Sequence, residues 1–148
     1  FLFSCLTGLR KSDIQKLTWG KMKKLGKYTR IVFKQRKTKG QEYLDISSQA
    51  EKYLGERGNP DDIVFTGFTY GSWTSLELQR WSLAAGVNKN LTFHCARHTF
   101  AVLMLDLGAD IYTVSKLLGH RFLTTTQIYA KVLDKNKQNA VSLIPDIG

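Results

Sequence analysis

The stretch from His94 to Tyr129 constrains this chain more than any other segment. It reads HCARHTFAVLMLDLGADIYTVSKLLGHRFLTTTQIY and holds all three histidines of the 148-residue chain. His94 and Arg97 are three positions apart, so they share one face if the segment is helical. Gly108 and Gly119 follow apolar runs, as the residue that ends a helix often does. The stretch therefore predicts consecutive short helices that carry imidazole and guanidinium groups.

The chemically active side chains suit a phosphodiester. The sequence TGLR at residues 7–10 supplies a separate arginine upstream, and Tyr129 lies nine positions after His120. Two arginines, two histidines, a tyrosine and a lysine can serve such a substrate. The cations bind the phosphate oxygens, one group attacks phosphorus, and another protonates the leaving oxygen.

The charge of the chain also favours a nucleic-acid partner. With 22 Lys and Arg against 12 Asp and Glu, the formal net charge is +10. This balance is typical of nucleic-acid-binding proteins, although anionic membranes also attract basic proteins. The chain is long enough for one domain and, at 43% hydrophobic residues, can bury a core. No apolar run approaches the ~20 residues of a membrane helix, and no signal peptide is visible.

Cysteine usage and the absence of cofactor motifs complete this picture. Cys5 and Cys95 do not make a disulfide framework, and we expect two partly buried thiols in a reducing cytoplasm. The sequence contains no C-x-x-C, H-E-x-x-H or glycine-rich phosphate loop, so it gives no support for a metal or nucleotide cofactor. We therefore expect a cytoplasmic protein that carries no cofactor.

Residue patterns predict a mainly helical chain with one β-hairpin. Lys21–Lys27 is predicted as a basic connection, residues 28–36 and 41–46 alternate as two strands, and KTKG at 37–40 is a turn signal. Ser47 is predicted to cap a helix that runs to about Arg57. Further helices are predicted over residues 69–85, from His94 to Gly108, from Asp110 to Leu118, and over residues 123–132 and 134–143. Expected core residues on the first two of these are Trp73, Leu76, Leu83, Ala84, Phe100, Leu103 and Leu107.

Three segments of the chain resemble the tyrosine recombinase (phage integrase) family. They are TGLRKSDIQKLTW at 7–19, HCARHTFA at 94–101 and LLGHRFLTTTQIY at 117–129. They follow the order of the family, and although each is weakly diagnostic alone, the ordered set is specific. The resemblance implies a mainly α (α+β) fold, a helical catalytic domain with a small antiparallel β-sheet. It also implies that residues 1–148 are that catalytic domain, without the DNA-clamping helical domain that usually precedes it.

The resemblance also assigns catalytic roles. It places the catalytic residues at Arg10, Lys37, His94, Arg97, His120 and Tyr129. By this resemblance the tyrosine is the nucleophile, the two arginines bind the phosphate, and the two histidines hydrogen-bond it and assist proton transfer. The family carries its catalytic lysine in the β-hairpin. Aligning the second strand puts that lysine at Lys37, with Lys39 as the close alternative.

Structural alternatives stay open for several of these residues. Arg10 and Arg97 lie in segments predicted as core, where a buried guanidinium needs an anionic or carbonyl partner. For Arg10, an ion pair with Asp13 is the alternative, and it is compatible with catalysis. His98 follows Arg97 and must point elsewhere on the helix. The family often has histidine there in a structural role, so we do not count it as catalytic. Ala96 departs from the family's usual leucine, which puts local packing in question but not chemistry.

The resemblance implies a site-specific recombinase or integrase that acts on double-stranded DNA. Tyr129 would form a 3′-phosphotyrosyl link and leave a free 5′-hydroxyl. Because that link keeps the bond energy, neither ATP nor a metal is required. The family works as a homo-tetramer on two duplexes and often passes a C-terminal segment to a neighbour, for which residues 134–148 are the candidates. The alternatives are a type IB topoisomerase, which relaxes supercoils as a monomer, and a non-catalytic DNA-binding module of the same fold.

Overall fold

The computed structural model describes residues 1–34, 41–132, 141 and 143–145. The chain divides into two compact units, residues 1–97 and 98–148. The α-helices are α1 (Leu2–Thr7), α2 (Lys11–Ile14), α3 (Ser48–Glu51), α4 (Ser72–Ala84), α5 (Phe93–Asp106) and α6 (Ile111–Leu117). The strands are β1 (Met22–Leu25), β2 (Tyr28–Lys34) and β3 (Gln41–Ile46), and 3-10 helices cover Trp19–Lys21, Leu123–Thr125 and Gln127–Val132. This mainly helical fold with a small antiparallel sheet confirms the predicted fold class. The helix predicted over residues 134–143 lies largely outside the described residues.

The strands form one antiparallel sheet in the order β1-β2-β3. β2 and β3 confirm the predicted hairpin strands, and their register pairs Ile31 with Leu44. Ile31, Leu44 and Ile46 are buried and supply the apolar face of the sheet. β1 corrects the prediction of a connection at residues 21–27. The sequence gives no alternating signal for this strand, because Met22 is buried while the three residues that follow it are exposed.

Ion pairs link the strands to each other and to α3. Arg30 lies directly opposite Asp45 and donates from Nε and Nη2 to its carboxylate at 2.6 and 2.7 Å. These hydrogen bonds hold the pKa of Asp45 below its usual value. Lys24 Nζ lies 2.7 Å from both carboxylate oxygens of Glu51 and lowers the pKa of Glu51 in the same way. Since exposed pairs of this kind contribute little to stability, the sheet depends mainly on its buried apolar face.

Helix α3 begins where the sequence predicts but is shorter. The Ser47 hydroxyl accepts a hydrogen bond from the Ala50 amide at 3.3 Å, which confirms the predicted cap. The helix ends at Glu51, so the predicted extension to about Arg57 is wrong. Gly55 has a φ of 74°, a conformation outside the right-handed helical region. The short helix packs against α1 and β2.

Helix α4 buries a different face from the one predicted. Its buried residues are Leu78 and Ser82, which are four positions apart and share a face. Three of the predicted core residues are exposed instead, and so is Ala84. The exposed fractions are 69% for Trp73, 42% for Leu76 and 61% for Leu83. Because apolar residues lie on both faces of this helix, periodicity alone cannot decide which face is buried.

The core of the second unit joins α5, α6 and the last 3-10 helix. Its buried side chains are Phe100, Ala101, Leu105, Val114, Leu118 and Tyr129. Asp110 caps α6 as predicted, because its carboxylate accepts hydrogen bonds from the hydroxyl and amide of Thr113, and these bonds lower its pKa. Gly108 and Gly119 follow α5 and α6 with φ of 95° and 60°, in agreement with their predicted role as helix-ending residues.

The apolar stripe predicted for α5 is partly wrong. Phe100 is buried as predicted, but Leu103 is 38% exposed and Leu107 is 73% exposed. Leu105, with 0% exposure, supplies the central aliphatic contact instead.

No helix formed by the described residues combines the length and apolar character that a membrane span requires.

The different burial of Leu105 and Leu107 should give their alanine variants different free energies of unfolding. We expect Leu105→Ala to lower the free energy of unfolding by ~2–5 kcal/mol, because it removes buried methyl groups and leaves a cavity. The matched control Leu107→Ala should change it by less than ~0.5 kcal/mol, as exposed substitutions usually do. Chemical denaturation followed by circular dichroism measures both, and equal effects would contradict the assignment of the core.

Candidate active site

The TGLR segment forms a hydrogen-bonded turn between α1 and α2. Gly8 ends α1 with a φ of 68°, a left-handed conformation that glycine adopts at low cost. Thr7 Oγ1 donates to a carbonyl of α1 at 2.8 Å and accepts from the Leu9 amide at 3.4 Å. The Ser4 hydroxyl donates to the Leu9 carbonyl at 2.8 Å. The turn delivers Arg10 to the start of α2 with its side chain exposed, whereas the sequence predicts burial.

Arg97 is the buried arginine of the pair. Only 6% of its surface is exposed, and its Nη1 donates to the carbonyl oxygen of Gly8 at 2.6 Å. A carbonyl partner of this kind is what a buried guanidinium requires, since an uncompensated buried charge is costly. This hydrogen bond attaches α5 to the turn that precedes Arg10.

A cavity of about 250 Å³ in the first unit brings three predicted site residues together. Arg10, His94 and Arg97 all contribute to its lining. Phe93 and Thr92, at the start of α5, contribute too, so the positive end of the helix dipole adds to the charge of the two guanidinium groups. The combination suits an anion, because guanidinium groups and helix N-termini both bind phosphate oxygens.

Lys11 and Tyr70 also line this cavity, although no sequence motif marks either residue as functional. Lys11 Nζ lies 4.1 Å from the centre of the Tyr70 ring, within the range of a cation–π contact. The Tyr70 ring meets Phe93 edge-on, with 5.6 Å between ring centres. Lys11 directly follows Arg10 in sequence, yet a basic residue beside another gives no signal that it enters a cavity.

The ion pair between Arg10 and Asp13, which the sequence allows as an alternative, is not formed in the described part of the chain. The ion pairs found there do not include one between Arg10 and Asp13. Arg10 is therefore exposed at the cavity and is not held by that carboxylate.

His120 is held at the end of α6 by two neighbouring groups. Its backbone amide donates to the Ser115 carbonyl at 3.0 Å, a bond that spans the left-handed Gly119. Its Nδ1 lies 2.8 Å from Oγ1 of the fully buried Thr126. The ring is half-buried, and this contact contributes to its orientation.

Tyr129 is buried, and His98 contacts its hydroxyl. The tyrosine is 8% exposed, its amide donates to the Thr126 carbonyl at 3.0 Å, and its hydroxyl lies 2.6 Å from Nδ1 of His98. The two rings meet edge-on, with centres 5.5 Å apart. His98 is predicted from the sequence to be structural, and no local signal could have paired residues 31 positions apart.

The remaining predicted site residue cannot be placed. Lys37 and its alternative Lys39 follow β2 and lie outside the described residues.

Within the residues that are described, no group of three or more His, Cys, Asp or Glu side chains is arranged to hold a metal ion.

Comparison with known sequences decides the family. A sequence profile of the phage integrase family matches residues 1–136. The chain belongs to the phage integrase family. This family member is 35% identical over 134 residues to the tyrosine recombinase XerC of Actinobacillus pleuropneumoniae serotype 7 (strain AP76), covering 83% of this chain and 43% of that protein. It is 31% identical over 152 aligned residues to a tyrosine recombinase of Pseudothermotoga lettingae, covering 97% and 49%. The chain thus spans a little under half the length of these relatives.

Solved structures share the fold of this phage integrase family member. XerA recombinase matches with a TM-score of 0.73 and 23% identity, covering 92% of this chain and 53% of that one. The catalytic domain of bacteriophage HP1 integrase matches with a TM-score of 0.63 and 25% identity, covering 98% and 82%. XerH recombinase, in a post-cleavage complex with its palindromic difH substrate, matches with a TM-score of 0.70 and 22% identity, covering 96% and 44%. The fold is that of the tyrosine recombinase catalytic domains.

The two arginines should differ in what they contribute to stability. Arg97→Ala removes the donor to the buried Gly8 carbonyl, so we expect the free energy of unfolding to fall by ~1–3 kcal/mol. Arg10→Ala removes an exposed side chain and should change it by less than ~0.5 kcal/mol. Urea denaturation of both variants measures this difference. A stability of Arg97→Ala equal to that of Arg10→Ala would mean that the bond to Gly8 does not hold the fold.

Proposed function

We propose that this phage integrase family member is a site-specific DNA recombinase that cuts and rejoins strands through a 3′-phosphotyrosyl intermediate. The observation that carries the proposal is the cavity that Arg10, His94 and Arg97 share. It lies in a chain whose curated relatives are named tyrosine recombinases. On this proposal residues 1–148 act as the catalytic domain.

Tyr129 is the proposed nucleophile. Its hydroxyl oxygen bonds to the scissile phosphorus, the bond from phosphorus to the 5′-oxygen breaks, and the strand end leaves as a 5′-hydroxyl. A 5′-hydroxyl from the partner duplex then attacks the phosphotyrosyl link and restores a phosphodiester. Each step exchanges one phosphoester for another, so the bond energy is kept and ATP hydrolysis is not needed.

The cationic groups are proposed to stabilise charge on the phosphoryl oxygens. Arg10 and Arg97 would bind the non-bridging oxygens, since guanidinium groups take phosphate oxygens in pairs of hydrogen bonds. His94 and His120 would donate further hydrogen bonds to the same group. Preorganised donors of this kind are worth several kcal/mol in a transition state, because they need no reorganisation as charge develops.

Double-stranded DNA is the proposed partner. The net charge of +10 supports it, because basic surfaces release counterions when they bind phosphates. Two structural relatives were solved with DNA: XerH with its difH substrate and the Tn1549 integrase with transposon right-end DNA. We further propose assembly as a homo-tetramer on two duplexes, with residues 134–148 as the segment exchanged between neighbours.

The identity of the nucleophile can be tested by covalent trapping. On nicked suicide DNA, which loses a short fragment after cleavage, the wild-type chain should accumulate a protein–DNA adduct that survives denaturing electrophoresis. Tyr129→Phe should form no adduct yet bind DNA nearly as well, because it loses only the attacking oxygen. The matched control is Tyr112→Phe, which removes the hydroxyl of a tyrosine that is 59% exposed, and it should behave as wild type. An adduct that persists in Tyr129→Phe, or that maps to Tyr112, would remove Tyr129 from this role. Tight DNA binding by the wild-type chain with no adduct would instead favour a non-catalytic DNA-binding module.

Lys37 is proposed as the general acid for the 5′-oxygen. A general acid typically contributes ~10²–10⁴-fold in rate, so Lys37→Ala should cleave normal DNA very slowly. Replacing the bridging 5′-oxygen with sulfur makes the leaving group a thiolate, which is stable unprotonated because thiols have a pKa of ~8.5. We therefore expect Lys37→Ala to recover near-wild-type cleavage on 5′-bridging phosphorothiolate DNA, measured as single-turnover adduct formation.

The controls for Lys37 are the other cations. Arg10→Ala and Arg97→Ala should not recover on the sulfur substrate, since their proposed partners are the non-bridging oxygens. Rescue of Lys39→Ala rather than Lys37→Ala would move the general acid by two residues. If neither lysine variant recovers, the acid lies elsewhere, with His120 the next residue to test.

A further inference from the structure

The hydroxyl of Tyr129 has a defined neighbour in the second unit. It lies 2.6 Å from Nδ1 of His98, the short distance of a well-formed hydrogen bond. Both groups are held by their surroundings: Tyr129 is packed into the apolar core of the unit, and His98 is a half-buried residue of α5. The contact joins the oxygen that must attack phosphorus to a group that can accept a proton.

A tyrosine nucleophile requires such a group. Free tyrosine has a pKa of ~10, so at neutral pH the phenol is almost entirely protonated. Bond formation to phosphorus must therefore remove the hydroxyl proton, and a base within hydrogen-bond distance can take it as the bond forms. Neutral imidazole is suited to this task, because it accepts a proton within the physiological pH range.

We propose that His98 is the general base that takes the hydroxyl proton of Tyr129. This inference rests on the proposed function and identifies a further catalytic residue for that reaction. As the tyrosine oxygen bonds to phosphorus, its proton moves to Nδ1 of His98. The electron pair of the breaking bond leaves with the 5′-oxygen, which takes its proton from the general acid. In the reverse step His98 returns its proton to the tyrosine oxygen.

The surroundings of His98 bear on how the test is designed. Tyr129 faces it from the last 3-10 helix, while Arg97 and His94 precede it on α5. His94 is exposed at the start of that helix and lines the cavity with the arginines. The guanidinium of Arg97 stays protonated across the working pH range, whereas other imidazole and phenol groups can contribute to a pH profile, so the comparison must change the imidazole of His98 alone.

The decisive variant is His98→Asn. An asparagine amide can reach the position of Nδ1 and keep a hydrogen bond to the hydroxyl, but it cannot take up a proton in the working pH range. Single-turnover adduct formation on nicked suicide DNA should be measured from about pH 5 to 9 for wild type, His98→Asn and Tyr129→Phe. We expect His98→Asn to be ~10²–10⁴-fold slower near neutral pH. Its rate should also keep rising toward high pH, where the phenol loses its proton without a base, so its pH profile should differ from that of wild type.

A second measurement separates a proton acceptor from a structural support. Fluorination of the tyrosine ring lowers the pKa of its phenol, so the nucleophile depends less on a base. Fluorotyrosine incorporated at position 129 should restore much of the lost rate to His98→Asn and change the wild-type rate little. Circular dichroism and DNA binding check that each protein is folded.

The outcomes are distinct. A His98→Asn variant that cleaves with the rate and pH profile of wild type overturns the proposal. A slow variant with an unchanged pH profile and no rescue by fluorotyrosine overturns it too, because His98 would then only support the tyrosine. In both cases adduct formation by wild type and its loss in Tyr129→Phe leave the proposed function standing. If wild type forms no adduct at any pH, the proposed function fails and takes this inference with it.

Discussion

The hydrogen bond from Arg97 to the Gly8 carbonyl is the interaction on which the arrangement of the first unit depends. It is buried and joins residues 89 positions apart in the chain. One end is the left-handed turn that precedes Arg10, and the other is the helix that carries His94. Through this bond the two arginines reach the same cavity, although one is buried and the other exposed. Arg97 consequently supports the fold as well as carrying charge, so a loss of activity on its replacement has two physical causes.

The helical period of α5 explains how two adjacent residues acquire different surroundings. Successive side chains of an α-helix point about 100° apart, since each turn contains 3.6 residues. Arg97 contacts Gly8 in the first unit, and His98 contacts Tyr129 in the second. This geometry explains why the side chains of His98 and Arg97 point in different directions, as the sequence predicts. What it points at could not be deduced, because its neighbour comes from a distant part of the chain.

The features predicted correctly are those with a local physical cause. Ser47 and Asp110 cap helices through bonds to amides three residues away, and Gly108 and Gly119 end helices because glycine tolerates a positive φ. β2 and β3 show the alternation of a half-buried sheet. Within the site, the ordered motifs around Arg10, Arg97 and Tyr129 led to the family.

The features that were missed depend on tertiary contacts. Two of the four residues of β1 are lysines, and α4 has apolar residues on both faces, so neither element reveals its buried face in the sequence. Lys11 and Tyr70 meet at the cavity only because residues 59 positions apart in sequence come together. The partner of Tyr129 is hidden for the same reason. Sequence patterns show how a residue relates to its near neighbours in the chain. A site is assembled from segments that are far apart in the sequence, and no local pattern shows which of them meet.

Thr126 gives the interval between His120 and Tyr129 a physical meaning. Its side-chain oxygen contacts the imidazole of His120, and its carbonyl accepts the amide of Tyr129. One buried threonine therefore contacts both residues. His120 lies six positions before it, and Tyr129 lies three positions after it. An insertion or deletion between these residues would break one of the two contacts, even if every side chain were retained. The length of this segment is thus as much a part of the site as the identity of its residues, and it should tolerate substitution far better than a change in length.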